Sequence, residues 1–177
     1  MQINEALFSG SDGYILKPAA LREGGSGSLS TGRTKKLRLH VAGATKVPLT
    51  DEDKSDEIRP YVTCSLSSPL LPTPLKKKTS PYKPHKLTSL LSSKEISPPT
   101  QPLWDEVLEW EYEDNELVFL RLLVKSDDSF KTNPILAVTA VRIEYVIKGV
   151  WRFIRLLDLH GRETTCSILV KFEVEDA

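Results

Sequence analysis

The sequence predicts an all-β protein built as an antiparallel sandwich of seven or eight short strands. Two observations support this. Short runs of β-branched, aromatic and aliphatic residues recur between turn residues, and no segment has a sustained apolar stripe with the 3.6-residue period of a helix. The chain has 177 residues, of which 40% are hydrophobic and 27% charged, which is typical of one globular domain with its loops.

The strand signals begin near residue 37 and continue to the end of the chain. Residues 37–41 alternate apolar and polar side chains, and residues 61–66 are rich in β-branched and aromatic types. Residues 117–124 form a nearly continuous apolar run, which suits a central strand covered on both sides. We expect Trp104 and Trp110 to pack inside. Further strands are predicted at 103–112, 135–143, 150–156 and 167–174.

Residues 69–100 interrupt this pattern. They contain seven of the twelve prolines, six lysines and a single acidic residue, Glu95. This composition predicts a disordered basic Pro/Ser-rich insertion between strands. A polybasic cluster is attracted to anionic lipid, although a solvated linker is the competing interpretation. The candidate membrane-binding residues are Lys76, Lys77, Lys78, Lys83 and Lys86.

Charge, cysteine spacing and apolar runs indicate which partners and which cellular location to expect. The 24 basic and 24 acidic residues balance, so nucleic acid is not an expected partner. Cys64 and Cys166 are expected to be buried free thiols, because their spacing fits no metal site. The chain has no apolar run of the roughly 20 residues that span a bilayer, and its N-terminus has no secretory pattern. We therefore expect a cytoplasmic chain without a transmembrane segment, whose membrane contact is peripheral.

Two motifs resemble phosphoinositide-specific phospholipases C. The run 1–8 (Met-Gln-Ile-Asn-Glu-Ala-Leu-Phe) followed by 13–18 (Gly-Tyr-Ile-Leu-Lys-Pro) resembles the end of that family's catalytic barrel. The run 102–106 (Pro-Leu-Trp-Asp-Glu) looks like a turn of C2 domains, with Gln101 in place of the usual asparagine. The resemblance covers nearly the whole chain outside the insertion.

This resemblance implies three parts. Residues 1–22 are expected to be a short remnant of the TIM-like catalytic barrel, and the Gly/Ser-rich stretch 23–35 a flexible linker. Residues 36–175 are expected to form a C2-type eight-stranded antiparallel β-sandwich.

The same resemblance implies a role in phosphatidylinositol signalling and lipid degradation, but no catalysis by this chain alone. The family cleaves its phosphodiester with two histidines and a calcium ion, and His40, His85 and His160 match neither histidine. We expect no catalytic residue here, and a C2 module for peripheral membrane association or barrel scaffolding. One alternative is a calcium-independent protein-interaction C2 domain with no lipid role. Another is an immunoglobulin-like sandwich with a Cys64–Cys166 bridge.

Calcium is the cofactor that the resemblance implies for the intact enzyme, but this chain is expected to bind none tightly. In calcium-binding members an aspartate occupies the position of Arg59, and a guanidinium there repels the cation. Ser126 and Pro134 replace two ligands of a later loop. Asp127 and Asp128 remain as weak metal candidates, to which the first loop could add oxygens from Asp51, Asp53 and Asp56.

Overall fold

The structure, a computed structural model, describes residues 31–49, 58–83, 97–127 and 133–177. The predicted barrel remnant at 1–22 and most of the predicted linker lie outside these ranges. Within them the regular structure is eight β-strands and one 3-10 turn, Ile143–Tyr145, which confirms the predicted all-β class. The strands are β1 (Thr34–Thr45), β2 (Pro60–Ser67), β3 (Leu75–Lys78), β4 (Leu103–Glu113), β5 (Phe119–Ser126), β6 (Ile135–Arg142), β7 (Trp151–Leu157) and β8 (Glu163–Asp176).

The strands pair in the order β3-β2-β5-β6-β7-β8-β1-β4, and every pair is antiparallel. β6 and β7 are joined only through Val138 and Leu157. The order therefore divides into two four-stranded layers, β3-β2-β5-β6 (the β5 layer) and β7-β8-β1-β4 (the β8 layer). One hydrophobic core draws side chains from both layers, as in a β-sandwich.

The core forms because alternate side chains of each strand point to the same side. Leu37, Leu39 and Val41 of β1 are fully buried and face Leu120, Leu122 and Val124 of β5, among others. Trp110 is buried and Trp104 is partly buried against the core, so the expectation that both pack inside is confirmed. Their indole N–H groups link the layers by donating to the carbonyls of Leu75 and Pro60, each at 3.1 Å.

The predicted disordered insertion at 69–100 is wrong for the residues that the structure describes there. β3 lies inside it and pairs with β2 from Thr63 to Leu66. The chain stays attached beyond β3, because the Thr79 N–H donates to the Val62 carbonyl at 2.9 Å and the Thr79 hydroxyl accepts from the Val62 N–H at 3.0 Å. Backbone pairing to a sheet edge orders residues whose composition alone favours disorder, and lysine is a common residue on such edges. Residues 84–96 lie outside the described ranges.

Two smaller expectations are also resolved. β1 begins at Thr34, so the strand takes up the last two residues of the predicted linker. Cys64 of β2 and Cys166 of β8 are buried free thiols, as predicted, which leaves the immunoglobulin-like alternative without its bridge. Burial raises the pKa of both thiols, that of Cys166 to about 12.

Candidate functional site

The three consecutive lysines predicted as membrane candidates form most of β3, which is an edge strand. Lys76, Lys77 and Lys78 are all exposed. They lie opposite Ser65, Cys64 and Thr63 of β2, respectively. None of the described carboxylates forms an ion pair with them, so their charge is not neutralised within the described part of the chain.

The register places two further cations beside these lysines. Cys64 points into the core, so its neighbours Ser65 and Thr63, with their partners Lys76 and Lys78, face outward. On the other side of β2, Ser65 lies opposite Arg121 of β5. Side chains of directly opposed residues share a face, so Lys76, Ser65 and Arg121 form one outward row.

A second outward row completes this surface. Lys125 of β5 lies opposite Tyr61, and the Lys78 ammonium lies 5.7 Å from the centre of the Tyr61 ring. We name Lys76, Lys78, Arg121 and Lys125 the basic face. The sequence did not single out Arg121 and Lys125, although both are charged residues in the mostly apolar β5 and lie four positions apart, on the same side of the strand.

Lys77 points to the other side of β3, toward the open edge of the sandwich. With Lys78, Val107, Leu108 and Glu109 it lines an open groove of about 560 Å³ between β3 and β4. Of the remaining predicted lysines, Lys83 is exposed after β3, and Lys86 lies outside the described residues.

The predicted calcium-loop residues Arg59 and Asp127 meet at one end of the sandwich. The Arg59 guanidinium lies 3.1 Å from the Asp127 carboxylate and donates to the Asp127 carbonyl at 3.3 Å. The Asp127 N–H donates in turn to the Arg59 carbonyl at 3.0 Å, and the Arg59 N–H donates to the Ser126 hydroxyl at 3.2 Å. Arg59 thus holds the start of β2 against the end of β5.

The described part of this end does not fit a calcium ion. Calcium takes six to eight oxygen ligands, whereas Asp127 already lies against a guanidinium. No group of three or more His, Cys, Asp or Glu side chains that could hold a metal occurs among the described residues. Asp128 and the first-loop acids Asp51, Asp53 and Asp56 lie outside them.

The described histidines make local contacts. His40 lies on β1, with its Nε2 atom 3.0 Å from the Glu173 carboxylate of β8, and its ring meets Trp151 edge to face. Hydrogen bonds from Lys171 and then from His40 lower the pKa of Glu173. His160 lies in the turn between β7 and β8, where its N–H donates to Asp158 at 2.8 Å. His85 lies outside the described residues.

The antiparallel sandwich of this chain belongs to a known family of domains. The C2 domain family matches residues 35–150, and the chain belongs to that family. No helix in the described part of the chain is long and apolar enough to cross a membrane.

The chain is also similar in sequence to individual enzymes. The chain is 23% identical over 176 residues to 1-phosphatidylinositol 4,5-bisphosphate phosphodiesterase delta-1 from Rattus norvegicus, covering 95% of this chain and 21% of that protein. It is 25% identical over 209 residues to 1-phosphatidylinositol 4,5-bisphosphate phosphodiesterase 1 from Candida albicans, covering 99% of this chain and 18% of that protein. The predicted resemblance to phosphoinositide phospholipases C is confirmed, and the chain spans about a fifth of the length of these relatives.

A solved structure agrees on the fold. PLC21 from S. officinalis superposes with a TM-score of 0.61 at 14% identity, covering 85% of this chain and 17% of that one.

Proposed function

We propose that this chain is the C2 module of a phosphoinositide phospholipase C and that it attaches peripherally to anionic phospholipid through the basic face and Lys77. The observation that carries this proposal is the set of lysines on β3, which are exposed and form no ion pair with a described carboxylate. The names of these relatives contain an anionic phospholipid, phosphatidylinositol 4,5-bisphosphate, which suits a cationic surface.

The attraction can be sized from the number of charges. Each Lys or Arg near an anionic leaflet contributes about 1 kcal/mol. Lys76, Lys77 and Lys78 together therefore contribute about 3 kcal/mol, which is on the order of 100-fold in binding. Calcium is not required in this proposal, because Arg59 already pairs with Asp127 where a cation would bind.

The test is co-sedimentation with phosphatidylserine-containing vesicles. We expect the triple variant Lys76→Ala, Lys77→Ala, Lys78→Ala to bind about 100-fold more weakly than the parent at low salt. The matched control removes three lysines that are already ion-paired, Lys35, Lys36 and Lys171, and should lose much less. Equal losses in both triples, or binding that requires calcium, would contradict the proposal.

A second part of the proposal is that the chain alone hydrolyses no phosphoinositide. Incubation with phosphatidylinositol 4,5-bisphosphate and calcium should release no inositol trisphosphate. Measurable release that scales with protein concentration would contradict this.

The alternative function is protein interaction without a lipid role. It is favoured by apolar side chains exposed on the outward face of the β8 layer, since Trp151 is 48% and Phe153 65% exposed. The vesicle experiment separates the two functions, because an interaction domain with no lipid role does not sediment with anionic vesicles at any salt concentration.

A further inference from the structure

Exposed apolar side chains are concentrated in one stretch of the chain. Five of the eleven exposed large hydrophobic residues in the described ranges lie within nine positions, 145–153. They are Tyr145, Ile147, Val150, Trp151 and Phe153, whose exposed fractions run from 43% to 65%. Single exposed apolar residues are normal on a protein surface, whereas a concentration of them marks an interaction site.

The strand in this stretch, β7, has an unpaired edge. One side of β7 pairs with β8 from Trp151 to Arg155. The other side pairs with β6 only at Leu157, so no described strand lies beside residues 151–155 there. Such an edge presents backbone N–H and C=O groups to an added strand. β7 contains neither lysine nor proline, the residues that most often protect an edge from pairing.

The aromatic side chains of β7 point away from the core and border this edge. Ile154 packs against the core, so its neighbours Phe153 and Arg155 point outward. Trp151 lies two positions before Phe153 and shares its side of the strand. The Lys171 ammonium of β8 lies 5.6 Å from the centre of the Trp151 ring, which places the indole on the outward face of the β8 layer.

A second copy of β7 matches this edge when the two strands run antiparallel. The unpaired part is five residues long, and a two-fold axis at its centre places Phe153 opposite Phe153 of the second copy. Trp151 then lies opposite Arg155 of the second copy, and Arg152 lies opposite Ile154. No like charges are opposed, and the guanidinium meets an aromatic ring, which is a favourable contact.

The charges of β7 select this register. An axis at Arg152 would oppose two arginines, which is unfavourable. An axis at Ile154 would extend the pairing to Leu157, which already pairs on both of its sides. The Arg155 guanidinium lies 3.0 Å from the Glu163 carboxylate, so its charge is compensated within each copy and does not keep two copies apart.

We propose that the chain forms a two-fold dimer through antiparallel pairing of β7 with β7 of a second copy. The two β8 layers then join into one sheet of eight strands, and both β5 layers lie on the same side of that sheet. The basic faces stay exposed and point to that side in both copies. The dimer uses the exposed aromatic side chains that also favour a protein-interaction role, and it does not depend on the proposed lipid binding.

The exposed area indicates how strong the dimer is. A large aromatic side chain buries about 150–250 Å² when it is covered completely. Trp151 is 48% and Phe153 65% exposed, so on the order of 100 Å² of each remains to be covered. Even with the backbone of five residues, the interface stays below the roughly 1,200 Å² of stable complexes. We therefore expect a weak dimer that forms in the micromolar range of chain concentration.

The test measures self-association of the full chain by sedimentation equilibrium without lipid, so its result is independent of the proposed membrane contact. The mean mass of the parent should rise from one chain toward two as concentration increases. Phe153→Asp and Phe153→Lys should each weaken association by about tenfold or more, because each opposes like charges at the axis. An equimolar mixture of the two variants should restore association, since an aspartate then lies opposite a lysine.

Val107→Asp is the matched control. Val107 is 48% exposed and lies on β4, the opposite edge of the same layer, so this variant should associate like the parent. Slow reaction of the buried thiols Cys64 and Cys166 with Ellman's reagent verifies that each variant is folded. A monomeric parent, equal weakening by Val107→Asp, undiminished association of the Phe153 variants, or a mixture as weak as its components overturns the proposal.

A second measurement places no charge at the edge. Directly opposed residues of antiparallel strands have Cα atoms about 4.5–5.5 Å apart, which is within the range of a disulfide. Under mild oxidation Phe153→Cys should therefore give a disulfide-linked dimer, and Val107→Cys should link about tenfold more slowly or less. Equal rates at the two positions, or no linkage at position 153, overturns the proposal.

Discussion

We predict the strength of the Arg59–Asp127 ion pair, which joins the start of β2 to the end of β5. Both side chains are partly exposed, at 39% and 34%, so most of the Coulomb attraction is screened. The guanidinium makes two contacts with Asp127, one to the carboxylate and one to the carbonyl. Exposed pairs contribute about 0.2–1 kcal/mol. Only the carboxylate contact depends on both side chains, because the Asp127 carbonyl remains in an alanine variant. We therefore expect a coupling free energy of about 0.5 kcal/mol, or about 1–2 °C in Tm.

The measurement is a double-mutant cycle with Arg59→Ala and Asp127→Ala, followed by urea unfolding at low and at 1 M salt. The cycle removes the other contacts of Arg59 from the result. High salt should reduce the coupling, because the pair is partly exposed. A coupling near zero at low salt, or one that salt leaves unchanged, would refute the idea that this ion pair joins β2 to β5. The variant Arg59→Asp should in addition gain thermal stability from added calcium, whereas the parent should gain little.

Three further predictions concern the fold. Gly43→Ala should destabilise the protein by about 1–3 kcal/mol in urea unfolding, because a Cβ atom there would lie 2.5 Å from the Pro102 carbonyl oxygen, whereas Ala42→Ser should cost little. Backbone N–H groups, first that of Arg162, lower the pKa of Asp158. The ionised Asp158 carboxylate therefore stabilises the folded chain above the ordinary carboxyl pKa, and this stabilisation is lost as pH falls through the lowered pKa. An NMR titration that gives Asp158 the ordinary pKa of an aspartate would contradict this. Buried Cys64 and Cys166 should react with thiol reagents only on unfolding, and rapid labelling of the native chain would contradict their burial.

The fold class was predictable because its signals are local. The apolar run at 117–124 predicted a central strand covered on both sides, and β5 lies between β2 and β6 with apolar side chains buried on both faces. The failure at 69–100 has a physical cause. Composition measures whether a segment can bury its own side chains, whereas β3 is ordered by backbone hydrogen bonds to another strand.

The candidate site was predictable in part. The β3 lysines were visible as a run, but Arg121 belongs with them only because β2 and β5 pair in one particular register. The expectation that Arg59 stands in the place of a calcium ligand came from the sequence and stays a prediction. The ion pair of Arg59 with Asp127, 68 residues away, depends on two strand ends that meet only in the folded sandwich.

The sequence by itself determined the all-β class, the buried free thiols and the resemblance to phosphoinositide phospholipases C. Each of these depends on residue type and on spacing within a few positions. Only the tertiary structure decided which lysines share a face with Arg121 and Lys125, and which apolar side chains of β5 point away from the core. The reason is that the two-residue period of a strand sets which side chains alternate, whereas long-range pairing sets which side of the sheet each set occupies.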